Sequence, residues 1–204
     1  MSVKKLVEVW DGSKLNKENI LYLKQPTVKV RVPYSNDVKQ ILEDLLDTYK
    51  QVPCAGIAAN QIGYNKRIFI GLKHDDEDKQ EETDSLIAGN SNANNYEFYI
   101  NPTIQYSSRK SIQEGEEGCL SIPDIRLIAE RYDKIKIRYF NKDGEKINKP
   151  LSGFMSRLFQ HELDHLDGVL MVENKKIKSV YKISDNSKLD SLYGTLLEEI
   201  LEVK

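Results

Sequence analysis

Hydrophobic positions recur at helical spacing in two stretches of the chain. After Ser35-Asn36-Asp37, which can cap a helix, Val38, Ile41, Leu42, Leu45, Leu46 and Tyr49 fall at i, i+3, i+4, i+7, i+8 and i+11. This stripe predicts an amphipathic helix ending near Lys50, ahead of Pro53. Towards the C-terminus, Leu189, Leu192, Tyr193, Leu196, Leu197, Ile200 and Leu201 form a second stripe with Lys188, Glu198 and Glu199 off it. It predicts a helix over residues 187–203, expected to bury its stripe on its own domain rather than on another protein. Elsewhere the period is that of strands. Residues 28–32, 68–72, 98–100, 125–132 and 134–140 are rich in β-branched and aromatic residues or alternate apolar with polar. Asn141-Lys142-Asp143-Gly144 reads as a hairpin turn with Gly supplying positive φ, Pro150 ends the return strand, and a helix follows over about residues 153–166. Runs of strands with helices segregated among them, and no repeated βαβ unit, indicate an α+β fold: antiparallel strands packed around a central helix, with the C-terminal amphipathic helix appended.

One segment departs from both periods. Residues 74–95 are acids, Asn and Ser broken only by Leu86, Ile87 and a few Ala and Gly, too little apolar surface to offset ordering entropy. It is expected to be a solvated polar loop inserted in the domain rather than an acidic partner-binding element. The length of 204 residues suits one domain, 1–204, with its own core. With 30 basic and 32 acidic residues the net charge is −2, so there is no basic excess for nucleic-acid binding. No apolar run approaches the roughly 18 residues of a membrane span. Glu8 and Asp11 interrupt the N-terminal stretch before a signal-peptide core can form. Two cysteines, Cys54 and Cys119, are the usage of a reducing compartment, so a cytoplasmic location is expected.

The chemistry concentrates in His161-Glu162-Leu163-Asp164-His165. Two His at i, i+4 share one helix face and can hold one metal ion, with Glu162 placed to act on a water beside it. Neutral imidazoles leave the cation's charge intact, which is what acidifies the water. The chain has three His, and two of them lie on this helix. A third ligand is required; no His follows His165, which leaves Glu173, Glu198 or Glu199 downstream, or the cysteine of Glu117-Gly118-Cys119-Leu120-Ser121 upstream. A run of small residues, Cys54-Ala55-Gly56-Ile57-Ala58-Ala59-Asn60-Gln61, lets backbone approach another group closely and carries one amide, Gln61.

Taken together and in order, Gly56-Ile57-Ala58-Ala59-Asn60-Gln61, Glu117-Gly118-Cys119-Leu120-Ser121 and Gln160-His161-Glu162-Leu163-Asp164-His165 resemble the three motifs of the peptide deformylases. Ile100-Asn101-Pro102, Arg157 and Asp167-Gly168 add to the likeness, which runs over about residues 22–172. The resemblance implies one divalent metal ion held by Cys119, His161 and His165 with water as fourth ligand. That ion would be Fe2+ in the cell, with Zn2+, Ni2+ or Co2+ able to substitute. It implies Glu162 as general acid and base, and the Gln61 side chain and Leu120 backbone N–H as donors to the developing oxyanion. Ala55, Gly56, Gly115 and Leu158 match positions that line a methionine side-chain pocket. The implied substrate is a nascent polypeptide beginning with N-formylmethionine, met at the ribosome without direct nucleic-acid or membrane binding, and formate is released. Cys54 stands where the family usually has Gly and Asn60 where Pro is common, which bears on pocket width rather than chemistry. The competing readings are a metallopeptidase with a Glu third ligand and an inactive relative that binds formyl-Met termini.

Overall fold

The computed structural model describes residues 2–10, 14–74, 89–182 and, beyond them, 198, 200 and 202. In chain order the elements are α1 (Lys17–Leu23), α2 (Asn36–Gln51), β1 (Gly56–Ala58), β2 (Ile68–Gly71), β3 (Glu97–Ser107), β4 (Ile112–Cys119), β5 (Ile122–Tyr132), β6 (Ile135–Phe140), β7 (Lys146–Leu151), α3 (Gly153–Asp167) and β8 (Ile177–Lys182). A five-stranded sheet runs β1-β2-β3-β6-β7 and a three-stranded sheet runs β4-β5-β8. Every pairing is antiparallel.

The layers follow from the side-chain periods. Strand β2 is apolar throughout because both its faces are covered. Ile68 and Ile70 join the cluster of Val38, Ile41, Leu45 and Tyr49 from α2, while Phe69 turns to the other face and meets Phe159, Leu163 and Leu166 of α3. Phe69 stacks on Tyr99 at 4.4 Å between ring centroids, and Phe159 meets both rings edge-on at 5.4 and 5.6 Å. The opposite side of α3 is polar and faces the small sheet: Gln160 accepts from Tyr132 N–H at 3.1 Å and donates to Tyr132 C=O at 2.8 Å. Helix α3 therefore lies between the two sheets. Ile125, Leu127 and Ala129 lie on the same face of the small sheet as Glu117 and cluster with Cys119, Val9, Trp10, Ile20, Leu23, Leu170 and Met171.

The structure agrees with the helices expected over 38–50 and 153–166 and with the 141–144 turn, where Asn141 Oδ1 accepts from Asp143 and Glu145 N–H and Gly144 has φ 82°. Three expectations change. Residues 28–32 are not a strand: only Val28 forms a bridge, to Lys66. The Asn101 side chain, at φ 51° in β3, takes both Val30 N–H (2.9 Å) and Val30 C=O (2.7 Å), so one amide replaces a neighbouring strand. Strand β7 continues through Pro150, which is tolerated because β7 is an edge. The polar loop begins and ends in fixed structure. His74 and Lys73 N–H both donate to Asn95 Oδ1, and buried Asn90 donates to Tyr49 C=O and Cys54 C=O at 2.8 and 3.0 Å. Its middle, residues 75–88, lies outside the described residues. So does most of the C-terminal helix expected over 187–203; Glu198, Ile200 and Glu202 are helical, and Ile200 is buried among the α1 and β5 side chains.

Candidate active site

Three elements bring the site together. Cys119 ends β4, where the regular ladder Gly118 to Arg126 jumps to Cys119 opposite Ile122. Residues 123–125 of β5 bulge out between these pairs, with Asp124 at φ 63°, and a bulge bends the strand and re-aims its neighbours. Cys119 thereby meets the face of α3 that carries His161 and His165, one turn apart. One ligand atom from each of the three lies within 4.8 Å of the others, and Cys119 Sγ is 3.2 Å from His165 Nε2. All three are buried. Among the described residues this is the group able to hold a metal ion. Glu173, a candidate third ligand from sequence, is instead occupied by Lys24 at 2.9 Å and by Leu170 N–H at 2.8 Å, and Glu198 is exposed.

The donor set suits a divalent ion. Burial alone would raise the Cys119 thiol, but the imidazoles of His165 and His161 outweigh it and hold the thiol well below its ordinary range. Burial pulls the other way on His161, whose bonds to Cys119 and Glu117 nevertheless raise it well above the ordinary imidazole value. A dry thiolate beside imidazole is a place where a cation is favourable. Glu117 fixes which nitrogen faces inward. Its carboxylate is held well below the usual range, against the pull of burial, by Arg131 and His161. An ionised carboxylate only accepts, so His161 Nδ1 carries the proton across the 3.0 Å contact and Nε2 is left for a metal. Arg131 binds both Glu117 oxygens at 2.7 and 2.8 Å, Arg157 adds a bond at 2.9 Å, and Asp164 receives Arg131 at 2.5 Å. Sequence reasoning passed over Glu117, although its i, i+2 spacing to Cys119 on a strand puts both on one face.

Glu162 is buried with Oε2 unpartnered, and burial pushes its carboxyl up to about 7 while His161 and His165 oppose the shift. It faces a cavity of about 520 Å³. Ala55, Gly56 and Leu158 line that cavity with Gln61, Cys119, Leu120 and His161. Gly56 is required small: a β-carbon there would stand 2.7 Å from Glu162 Oε1. Gly115, expected in the same pocket, lies outside the lining because the Arg157 guanidinium fills the space beside its α-carbon, 2.9 Å from where a β-carbon would be. His165, the most deeply buried member of the cluster, is also outside the lining. Leu6, Glu8, Pro123, Asp124, Arg126 and Phe154 are also on the wall, and no periodic signal in the sequence marked them. Cys54 lies on the wall as well, its thiol pushed up to about 12 by burial, which keeps it protonated. Gln61 sits in a 3-10 turn, Ala59–Ile62. Its Oε1 accepts from Ala58 N–H at 2.9 Å, which orients Nε2 towards Ser121 Oγ (3.2 Å) and Cys119 Sγ (3.6 Å).

A mixed fold with a buried Cys-His-His cluster, a desolvated glutamate and an adjoining cleft defines a metal-dependent amide hydrolase. The polypeptide deformylase family model matches residues 14–181. The chain is 37% identical over 137 residues to the peptide deformylase of Thermus thermophilus, covering 67% of this chain and 69% of that one. It is 35% identical over 154 residues to that of Aquifex aeolicus, covering 76% and 82%. The Acinetobacter baumannii class I type b peptide deformylase, solved with Met-Ala-Ser bound, superposes at a TM-score of 0.65 with 31% identity over 85% of this chain and 99% of that one. This chain belongs to the polypeptide deformylase family, the enzymes that remove the N-formyl group from nascent peptides.

Proposed function

We propose that Cys119, His161 and His165 hold the metal of this deformylase, that Glu162 is its general acid and base, and that the Gln61 amide and Leu120 N–H receive the oxyanion. The observation that carries this reading is the convergence of the three ligand atoms within 4.8 Å beside an unpartnered, buried Glu162. A divalent ion held by Cys119, His161 and His165 would supply Lewis acidity and could bring the pKa of water towards about 7. Glu162, desolvated to about 7, is matched to take a proton from water at neutral pH and to deliver it to the departing amine nitrogen. As the water oxygen bonds to the formyl carbon, negative charge develops on the formyl oxygen, and it is given back when the C=O re-forms and the C–N bond breaks. The Gln61 Nε2, fixed by its own Oε1 contact, is preorganised to meet that charge. Ala55, Gly56 and Leu158 form an apolar wall suited to a methionine side chain, and Gly115 serves that wall only indirectly, by leaving room for Arg157. The Met-Ala-Ser complex of the Acinetobacter baumannii relative supports a methionine-first ligand.

The chain is read as one catalytic domain acting in the cytoplasm on N-formylmethionyl chains at the ribosome, without a nucleic-acid contact of its own. A net charge of −2 and two free thiols support this; among the described residues no helix is long and apolar enough to cross a membrane. Fe2+ is the proposed metal in the cell, with Zn2+, Ni2+ or Co2+ as substitutes, because a mixed thiolate and imidazole set accepts all four. The test is formate release from a formyl-Met peptide by anaerobically purified protein, with metal content measured on the unaltered chain and on Cys119→Ala. One metal per chain and turnover are expected for the first, and loss of both for the second. Full metal content in Cys119→Ala would assign the third ligand elsewhere.

A further inference from the structure

Asn60 is 1% exposed and precedes Gln61 in the 3-10 turn that delivers the oxyanion donor. Its Nδ2 donates to the backbone carbonyl of His165 at 2.7 Å, across 105 residues of chain. That carbonyl belongs to the last turn of α3, where its other partner is the capping Gly168 N–H at a longer 3.3 Å. Asn60 Oδ1 is buried and has no partner. The amide orientation is therefore set by the single bond to His165, since the flipped amide would face one oxygen with another. The rest of the turn is fixed from the other side: Val7 N–H donates to Gln61 C=O at 2.8 Å, and Gln61 Oε1 is held by Ala58 N–H. Asn60 is thus the side-chain bond that joins the donor turn to the helix carrying two of the three clustered side chains.

We infer that Asn60 is a positioning residue that latches the turn bearing Gln61 to the end of α3, setting the distance from the Gln61 amide to the reacting carbonyl. This rests on Gln61 being the oxyanion donor. The energetic reason is that a donor misplaced by about 1 Å forfeits much of its effect on the transition state while substrate binding is little altered. A residue needed only for packing would be replaced without loss by a side chain of the same shape.

The test uses Asn60→Leu, which keeps the branching at Cγ and removes the donor with a somewhat larger side chain, alone and combined with Gln61→Ala. For Asn60→Leu, kcat is expected to fall about 10-fold with KM changed by less than about 2-fold, a split that packing loss would not give. In the Gln61→Ala background the same substitution is expected to leave kcat unchanged, because the two act as a unit. Additive losses, or full activity in Asn60→Leu, would overturn the inference; full activity in Gln61→Ala would overturn instead the reading of Gln61. A measurement on the unaltered Zn2+-loaded protein stands apart from turnover and from the folding of any variant. One Asn60 side-chain amide proton is expected to be strongly protected from solvent exchange and to show a through-bond coupling to the His165 carbonyl carbon, and rapid exchange would refute the latch.

Discussion

At the scale of single residues, the site depends on groups whose charge state is set by what surrounds them. Glu162 has no bond on Oε2 and sits dry, so its carboxyl rises to about 7. Glu117, equally dry, goes the other way because two guanidinium groups and an imidazole face it. The same residue type thus stands in two states: the Glu162 carboxyl is raised into the neutral range, while that of Glu117 is held ionised and orients the His161 ring. Replacing Glu162 by Gln should lower kcat for deformylation by a factor of about 10² to 10⁴ while metal content stays at the unaltered level. Formate assay and elemental analysis of the same sample check both halves. Glu117→Ala should destabilise the metal-free protein by about 3–5 kcal/mol, since Arg131 and Arg157 would be left buried without their shared counter-charge. Urea unfolding measures this, and a loss under about 1 kcal/mol would show that water replaces the carboxylate.

At the scale of elements, α3 shows how a helix can carry both a core face and a reactive face. Phe159, Leu163 and Leu166 fall on the stripe that packs on the large sheet, and the opposite stripe holds Arg157, His161 and Asp164 towards the small one. Its C-terminus is fixed tightly. Leu166 C=O accepts from Thr27 N–H and Oγ1 at 2.9 and 2.8 Å, and Arg67 pairs with Asp167 at 2.6 Å. Gly168 closes the helix at φ 76°, and a β-carbon there would lie 2.4 Å from Lys24 C=O. Gly168→Ala should cost about 1–3 kcal/mol through the left-handed conformation and the collision together. A lower thermal midpoint with an unaltered helical signal is the expected result. The helix was expected after the strand that follows the 141–144 turn, and its His pair was legible from the i, i+4 spacing. Strand β4 was not, because Ile112–Cys119 is largely Glu and Gly and presents no alternation of apolar residues. It is a strand because β5 offers a ladder and because Glu117 has arginines to meet.

At the scale of the whole molecule, the N-terminal segment ties together parts that are distant in sequence. Ser2 N–H reaches Asp47 at 2.7 Å and Lys4 N–H reaches Thr48 Oγ1 at 3.0 Å, both on α2. Val7 then bonds the Gln61 turn and Val9 bonds Ser121 in the β4–β5 turn, both at 2.8 Å. The anchor on α2 is Asp44, buried beside Tyr64 O–H at 2.5 Å, Lys4 Nζ at 3.2 Å and Gln40 at 3.2 Å. Burial raises its carboxyl, but the bonds from Tyr64, Lys4 and Gln40 outweigh burial and the net shift is downward. A carboxyl with a folded pKa below its unfolded one stabilises the fold at all pH above about 4, and that stabilisation disappears as pH falls through the folded value. The thermal midpoint of the unaltered protein should therefore fall more steeply below about pH 4 than that of Asp44→Asn, while at pH 7 the unaltered protein should be the more stable. Parallel acid limbs in the two proteins would show that Asp44 is not anchored by its charge.

The sequence by itself determined the parts whose physics is local: the stripe of α2, the Asn141–Gly144 turn, the His161/His165 spacing with Glu162 between, and the ordered motifs that mark the family. Only the tertiary structure decided that Cys119 is turned towards the two imidazoles, that Gly115 is backed by Arg157 rather than by the cavity, and that residues 28–32 lie along a single asparagine instead of a strand. Each of these depends on a bulge, a buried ion pair or a side-chain bond between segments far apart in the chain. Hydrophobic periodicity records which face of an element is dry, and it carries no information about which distant group fills the space opposite that face.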